Sequence, residues 1–256
     1  MTEKLTDPSK PAHEIIEVLK DGDAIRNDGV RLQAANKHPW YVLATIYGEL
    51  GEGPHYDEKL AAKNRRAWNR WFCDGLSNGE RRERLKKAGL EVSDLMPLSK
   101  EELAIIKERI CRRLSDTSAK LPDRNQDIDF SQTYFSNTVS FQKYYFEKSC
   151  IFAGGHFKRL CSFKNGYIEG QAFFENVTFG DIADFSHTSF VGGANFAGAK
   201  FSKAAAFHKS KIMNIGDFKG VVFRGHALFD GVTFLWSNSF ENASFEGRGG
   251  RGISDQ

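Results

Sequence analysis

Cysteine is scarce in this 256-residue chain: Cys73, Cys111, Cys150 and Cys161 are the only four, and no two form a C-x-x-C pair. That scarcity disfavours a disulfide framework and a zinc site, and it suits a reducing cytoplasm. Nowhere do 18 apolar residues run together, so no membrane span is expected. The opening MTEKLTDPSKPAHEIIEV carries acids throughout and no long apolar core, unlike a secretory signal. Charge of one sign is also missing. The formal net charge is +3, with 23 basic against 21 acidic residues over positions 1–125 and 13 against 12 over 126–256. Neither half is a polycation or a polyanion, so bulk charge names no partner. There is no nucleophile-elbow pattern, no phosphate-binding glycine loop and no carboxylate pair at the spacing of a cleft. No catalytic, cofactor-binding or metal-binding residue is therefore assigned, and the chain reads as non-enzymatic.

Phenylalanine is almost absent from the first half. Of 22 Phe residues, only Phe72 precedes residue 125. After it, large apolar residues recur at alternating steps of five and six without a miss, from Phe130, Phe135, Phe141 and Phe146 through to Phe240 and Phe245. Ile168 and Ile212 are the two centres that are not Phe. Two positions before most centres sits a small residue, for example Cys150, Cys161, Ala172, Ala183, Ala194 or Ala205. In extended chain, residues two apart share a face, so small and large residues line one interior while the residues between them face water. A fixed short period of this kind is the mark of a solenoid, whose units bury their apolar side only by stacking.

This pairing resembles the pentapeptide-repeat family, whose unit is a small residue, any residue, a central Leu or Phe, and two polar or small residues. The stretch ANFAGAKFSKAAAF, residues 194–207, displays it, and the resemblance covers about 116 residues. The regular sixth residue in alternate units and the two Ile centres depart from the pattern. The resemblance implies a right-handed quadrilateral β-solenoid with four units per coil, here about 5.5 coils of 22 residues. A flat, two-sided solenoid with coils half as long is the rival. Val191, Met213 and Leu235 recur every 22 residues while Ser202 and Arg224 fall opposite, and Ile168 and Ile212 share one such column, which favours four sides. The fold class is thus mainly β, with a mostly helical region in front. The expected divisions are 1–125 as a helical cap, 126–246 as the solenoid and 247–256 as a disordered tail.

Within the first region, residues 1–10 read as a loose tail and His13–Lys20 as a short helix. Pro39–Tyr47 (PWYVLATIY) reads as a strand from its aromatic and β-branched content. Asp57–Phe72, Glu80–Ala88 and Ser99–Leu114 read as helices, the last with Ser99 and Glu102 at capping-box spacing. Leu121–Asp127 reads as the entry to the first coil. A solenoid exposes strand edges at each end, and covering the first coil is the expected role of this region.

Several features bear on function. Val191, Met213 and Leu235, with Ile215 and Trp236 close by, should form a water-facing apolar stripe, and such a stripe marks an interface or is covered by the chain's own tail. Tyr145 and Tyr167 are further outward aromatic candidates for a protein partner, which a second copy in a homodimer could supply. Residues 57–87 carry ten basic and five acidic side chains. Lys59, Lys63, Arg66 and Arg70 could neutralise phosphates of a nucleic acid, although such a run is ordinarily a solvated helix face. His156, His187, His208 and His226 read as surface histidines, and Cys150 and Cys161 as packed core residues. GRGGRG, residues 247–252, is a single copy of an arginine-glycine tract. The leading expectation is a protein-interaction scaffold in the cytoplasm. The resemblance also implies an alternative, a mimic of duplex DNA acting on type II topoisomerases, a role that calls for a more acidic rod than this one.

Overall fold

The structure, a computed structural model, describes residues 13–53 and 55–247. The tail expected over residues 1–10 and all but Gly247 of the one expected over 247–256 lie outside the described residues. From Ile128 onward the chain is a four-sided β-solenoid of very short strands, each pairing in parallel with its counterpart one coil along, as Tyr145 does with Tyr167 and Cys150 with Ala172. The first side holds Thr133–Phe135, His156–Phe157, Thr178–Phe179, Lys200–Phe201, Val222–Phe223 and Ser244–Phe245. The second runs from Val139–Ser140 to Ala227–Leu228, the third from Tyr145–Phe146 to Thr233–Phe234 and the fourth from Ile128–Asp129 to Asn238–Ser239. The four sides and the 22-residue coil are those that the family resemblance implies and that the recurrence of Val191, Met213 and Leu235 favours.

The alternation of five and six has a backbone cause. Residues 132, 143, 154, 165, 176, 187, 198, 209, 220, 231 and 242 all have positive φ, and each falls inside a five-residue step. Those corners turn through one left-handed residue, which is why Gly and Asn are frequent there. The six-residue steps use the extra residue for a wider corner. Inside, rings stack coil on coil: Phe135 on Phe157 at 4.2 Å, Phe152 on Phe174 at 5.0 Å, Phe174 on Phe196 at 4.8 Å and Phe185 on Phe207 at 5.0 Å. The third side alternates Phe146, Ile168, Phe190, Ile212 and Phe234, so its column mixes rings with branched aliphatic side chains. Cys150 and Cys161 are fully buried, and burial pushes both thiols upward.

The N-terminal region covers the first coil, with two differences from the sequence-based expectation. The segment expected as a helix over 13–20 contains strand β1 (Ile15–Val18), which is antiparallel to β2 (Ala24–Arg26). β2 in turn pairs with β3 (Arg31–Ala34), and β3 joins the first side of the solenoid through Gln33 and Thr133. The turns use Gly22 at φ 87° and Gly29 at φ 85°, each preceded by Asp, a hairpin signal that the apolar spacing of 13–20 masked. The segment expected as a strand is helix α1 (Pro39–Ala44). Pro39 opens the first turn, where its missing N–H costs nothing. Trp40 to Ala44 are all buried, and a helix buried on every side loses the periodicity that would reveal it.

Helices α2 (Glu58–Cys73), α3 (Asn78–Ala88) and α4 (Lys100–Arg113) follow the expected positions. Asp57 caps α2, and Ser99 with Glu102 forms a complete capping box on α4. Trp68 of α2 lies 5.6 Å from the Tyr144 ring and 5.4 Å from Phe146, so helix and solenoid share one core. Asn69, fully buried, takes the place of a missing strand: its Nδ2 donates to the Lys143 carbonyl at 3.0 Å, and its Oδ1 accepts from the Tyr145 amide at 2.9 Å. On the second side the Gly51 carbonyl accepts from the Thr138 amide at 2.8 Å. The leading strand edges on three sides are thus paired by β3, by a loop and by one side chain. The opposite end is open among the described residues. Phe234 and Phe240 are half-buried there, and Phe245 is 37% exposed.

Phe174→Ala, in a fully buried ring stacked on both sides, is expected to cost about 3–5 kcal/mol in urea unfolding, whereas Phe245→Ala should cost about 1 kcal/mol or less. Equal costs would show that the ladder does not carry the fold. In the hairpin, Asp23 is buried, which opposes its charge, yet Lys37, the Ala34 amide and Arg31 hold its carboxyl down at about 2. The stabilisation is therefore present above the ordinary carboxylate range and lost as pH falls toward 2. Asp23→Asn should flatten that acid limb in thermal melts from neutral pH downward, and an unchanged limb would count against the assignment.

Candidate interaction surface

The outward residues of the third side form two columns. One, following each apolar centre, reads Glu147, Glu169, Val191, Met213 and Leu235, joined by amide-to-carbonyl bonds such as Met213 to Phe190 at 2.9 Å and Leu235 to Ile212 at 3.0 Å. The change from acid to apolar along it coincides with the edge of the cap. Arg84 of α3, itself buried, places Nη2 2.8 Å from the Glu147 carboxylate and donates through Nη1 to the Phe72 carbonyl at 2.9 Å. Lys87 reaches Glu169 at 3.9 Å. The acidic half of the column is occupied by the chain's own basic helix, and the apolar half begins where that cover ends.

The apolar half is open to water. Met213 is 37% exposed, Leu235 57%, Ile215 59% and Trp236 70%, with Val191 half-buried. Ile215 and Trp236 stand on the corner between the third and fourth sides. Gly192 packs that corner, where a Cβ would lie 2.5 Å from the Gly170 backbone carbon; Gly170 and Gly192 thus leave the position bare in two coils, between Lys148 before them and Asn214 and Trp236 after. Leu228, 42% exposed on the second side, and the half-open Phe234, Phe240 and Phe245 extend apolar surface over the final coil. Sequence periodicity marks these last rings as core, and only the absence of a following coil among the described residues exposes them.

Two aromatic candidates belong elsewhere. Tyr145 points outward from the solenoid but is 1% exposed, because α2 and α3 lie over it. Its backbone carbonyl accepts from the Trp68 indole at 3.0 Å, the Arg84 guanidinium sits 4.7 Å above its ring, and its hydroxyl donates to Glu169. Burial, with that carboxylate beside it, pushes the phenol far up. Tyr167 is half-buried and stacks on Tyr145 at 5.7 Å. Tyr145 is therefore covered by the cap, while Tyr167 packs against the same cluster and keeps part of its surface open.

The basic stripe on α2 is likewise divided. Arg70 is held in a fork by Glu102, with contacts of 2.7 and 2.6 Å, and donates to the carbonyls of Met96 and Pro97. It clamps α4 and its approach loop, so it is not available to phosphates. Lys63 lies 4.2 Å over the Tyr47 ring. Arg66 is 46% exposed and 4.0 Å from the buried Asp94, and Lys59 is exposed. Of the histidines, His187 and His226 are exposed as expected, and His208 pairs with Asp230. His156 departs from expectation: it is half-buried beneath the hairpin, and burial, then Arg26 and Lys158, hold its pKa down at about 4. Among the described residues no group of three or more His, Cys, Asp or Glu could hold a metal ion, and no helix is long and apolar enough to cross a membrane.

The family model described as pentapeptide repeats (9 copies) matches residues 168–211. Those residues are pentapeptide repeats. They make up the middle of the solenoid, and the same strand register carries the pattern to both of its ends. No curated protein and no solved structure matches the chain.

Because Arg84 and Glu147 fasten the cap to the third side, Arg84→Met is expected to cost about 2–4 kcal/mol in urea unfolding, much of it from the unpaired carboxylate. A cycle with Glu147→Gln should recover part of that loss, and strict additivity would show the pair to be uncoupled.

Proposed function

We propose that this protein is a non-enzymatic scaffold of pentapeptide repeats that docks a protein partner on the last coils of its third side. The carrying observation is the divided column. Its acids, Glu147 and Glu169, are used by the chain's own cap, while Val191, Met213 and Leu235 continue on the same line with Ile215 and Trp236 beside them and no cover among the described residues. Contiguous exposed apolar surface is unfavourable unless a partner removes it from water. Trp236, at 70% exposure, offers the largest gain on burial and the character of a binding hot spot. The rigid stack beneath adds to this, since side chains fixed on paired strands lose little freedom when a partner closes over them.

The partner is a protein of complementary apolar surface, a second copy of this chain included, and four cysteines with no disulfide between them fit a cytoplasmic setting. Neither the charge balance nor the geometry favours a nucleic acid or a DNA-mimic role: residues 126–246 carry 11 basic and 11 acidic side chains, and Arg70 is engaged with Glu102. Immobilised wild-type and Trp236→Asp proteins should be compared for what each retains, with light scattering on both in solution. A second copy or another protein held by the wild type and weakened roughly tenfold or more by the substitution is the expected result. Identical retention and identical solution masses would overturn the proposal.

A further inference from the structure

The hairpin does more than extend the first side of the solenoid. Its strands β2 and β1 fold across the outer face of that side, with the Arg26 guanidinium donating to the Gly154 carbonyl at 3.2 Å and with Ala24, Leu32 and Ile15 packed on Tyr134. Between β1 and the sheet lies a cleft of about 390 Å³. Its floor is two outward columns of the solenoid in strict coil-to-coil register, Tyr134, His156, Thr178 and Lys200 in one and Lys158, Gly180, Ser202 and Arg224 in the other. Gly180 leaves a gap between the longer side chains of its column, and that gap deepens the cleft.

We propose that this cleft binds a small organic anion, with a phosphate or carboxylate head held by Lys158, Lys200 and Arg224 and an apolar or planar body against Ile15, Val18 and the Tyr134 and His156 rings. Three cations line it against a single carboxylate, Glu14. Arg224 also approaches Glu246 at 3.8 Å. The Thr178 and Ser202 hydroxyls stand on the same floor as neutral donors. The Tyr134 and His156 ring centroids are 5.6 Å apart, and His156 Nδ1 is buried with no hydrogen-bond partner, so a bound polar group would satisfy it.

The electrostatics of the walls agree. Burial lowers Lys200, and Arg224 lowers it further, with Glu14, Arg26 and Asp28 as smaller opposing and reinforcing neighbours. Burial lowers His13 as well, followed by Arg26 and Lys200 and partly offset by Asp28. Burial is the largest cause for each of these groups, as for His156, and neighbouring cations lower each of them further, so an entering anion would favour their charged forms. The site is preformed, because its floor is paired backbone and its wall is an antiparallel hairpin tied down by Arg26.

The test is amide and imidazole NMR on the full chain at low salt, titrated separately with phenyl phosphate, benzoate and inorganic phosphate. Saturable shifts at Thr178, Lys200 and His156 with phenyl phosphate or benzoate are expected, the stronger of the two naming the head group and inorganic phosphate alone binding more weakly. Lys200→Glu should weaken binding roughly tenfold or more. Arg224→Glu, at an exposed position, should do the same if the first variant does not fold by circular dichroism. Absence of saturable shifts with all three probes at millimolar concentration, or affinity unchanged in the charge-reversed variant, would overturn the proposal.

Discussion

Coil-to-coil pairing at a fixed rise governs everything else in this protein. Parallel strands set neighbouring coils about 4.8 Å apart, and the buried rings stack at 4.2 to 5.2 Å between centroids, for example Phe135 on Phe157 and Phe163 on Phe185. Backbone hydrogen bonds and ring stacking therefore demand the same repeat distance. Neither can relax without straining the other, which is why the left-handed corners recur without exception from residue 132 to residue 242. The same rise sets the outward columns, so chemistry on the surface is arrayed by a rule written for the interior.

That rule leaves edges at both ends, and this chain treats them differently. At the first coil an antiparallel hairpin, a loop carbonyl and the amide of Asn69 pair what the missing coil would have paired. Trp40, Tyr41, Trp68 and Phe72 then continue the aromatic core into the helices, so the cap is part of the same hydrophobic cluster. At the last coil no such closure exists among the described residues. The asymmetry concentrates apolar exposure near Leu235, Trp236 and Phe245 and leaves charged, internally matched surface beside the cap.

The solenoid was legible in the sequence because its signal is local and repeated. A missing Phe at one position, as at Ile168 or Ile212, does not hide a rhythm carried by its neighbours. Helices α2, α3 and α4 were legible from amphipathic spacing and from the Ser99 and Glu102 box. The hairpin and α1 were not, since HEIIEVLK fits helix spacing as well as it fits a strand, and PWYVLATIY is apolar on every side because it is buried on every side. The fates of Tyr145, His156 and Arg70 depend on partners far along the chain, Arg84, Arg26 and Glu102 among them. Outward position on a strand is a local property, but exposure is not.

A surface organised by coil behaves like a dial. The apolar group on the third side sits a whole number of turns from the strands that hold the cap. Insertion or loss of one full coil would slide that group along the rod while keeping it on the same flank. Gain or loss of half a coil, one tight corner and one wide corner together, would preserve the order of corners, and with it the fold, yet swing Trp236 to the opposite flank. Repeat number in such a chain thus encodes direction as well as length, and changes that the interior tolerates equally well are far from equivalent to anything that docks outside.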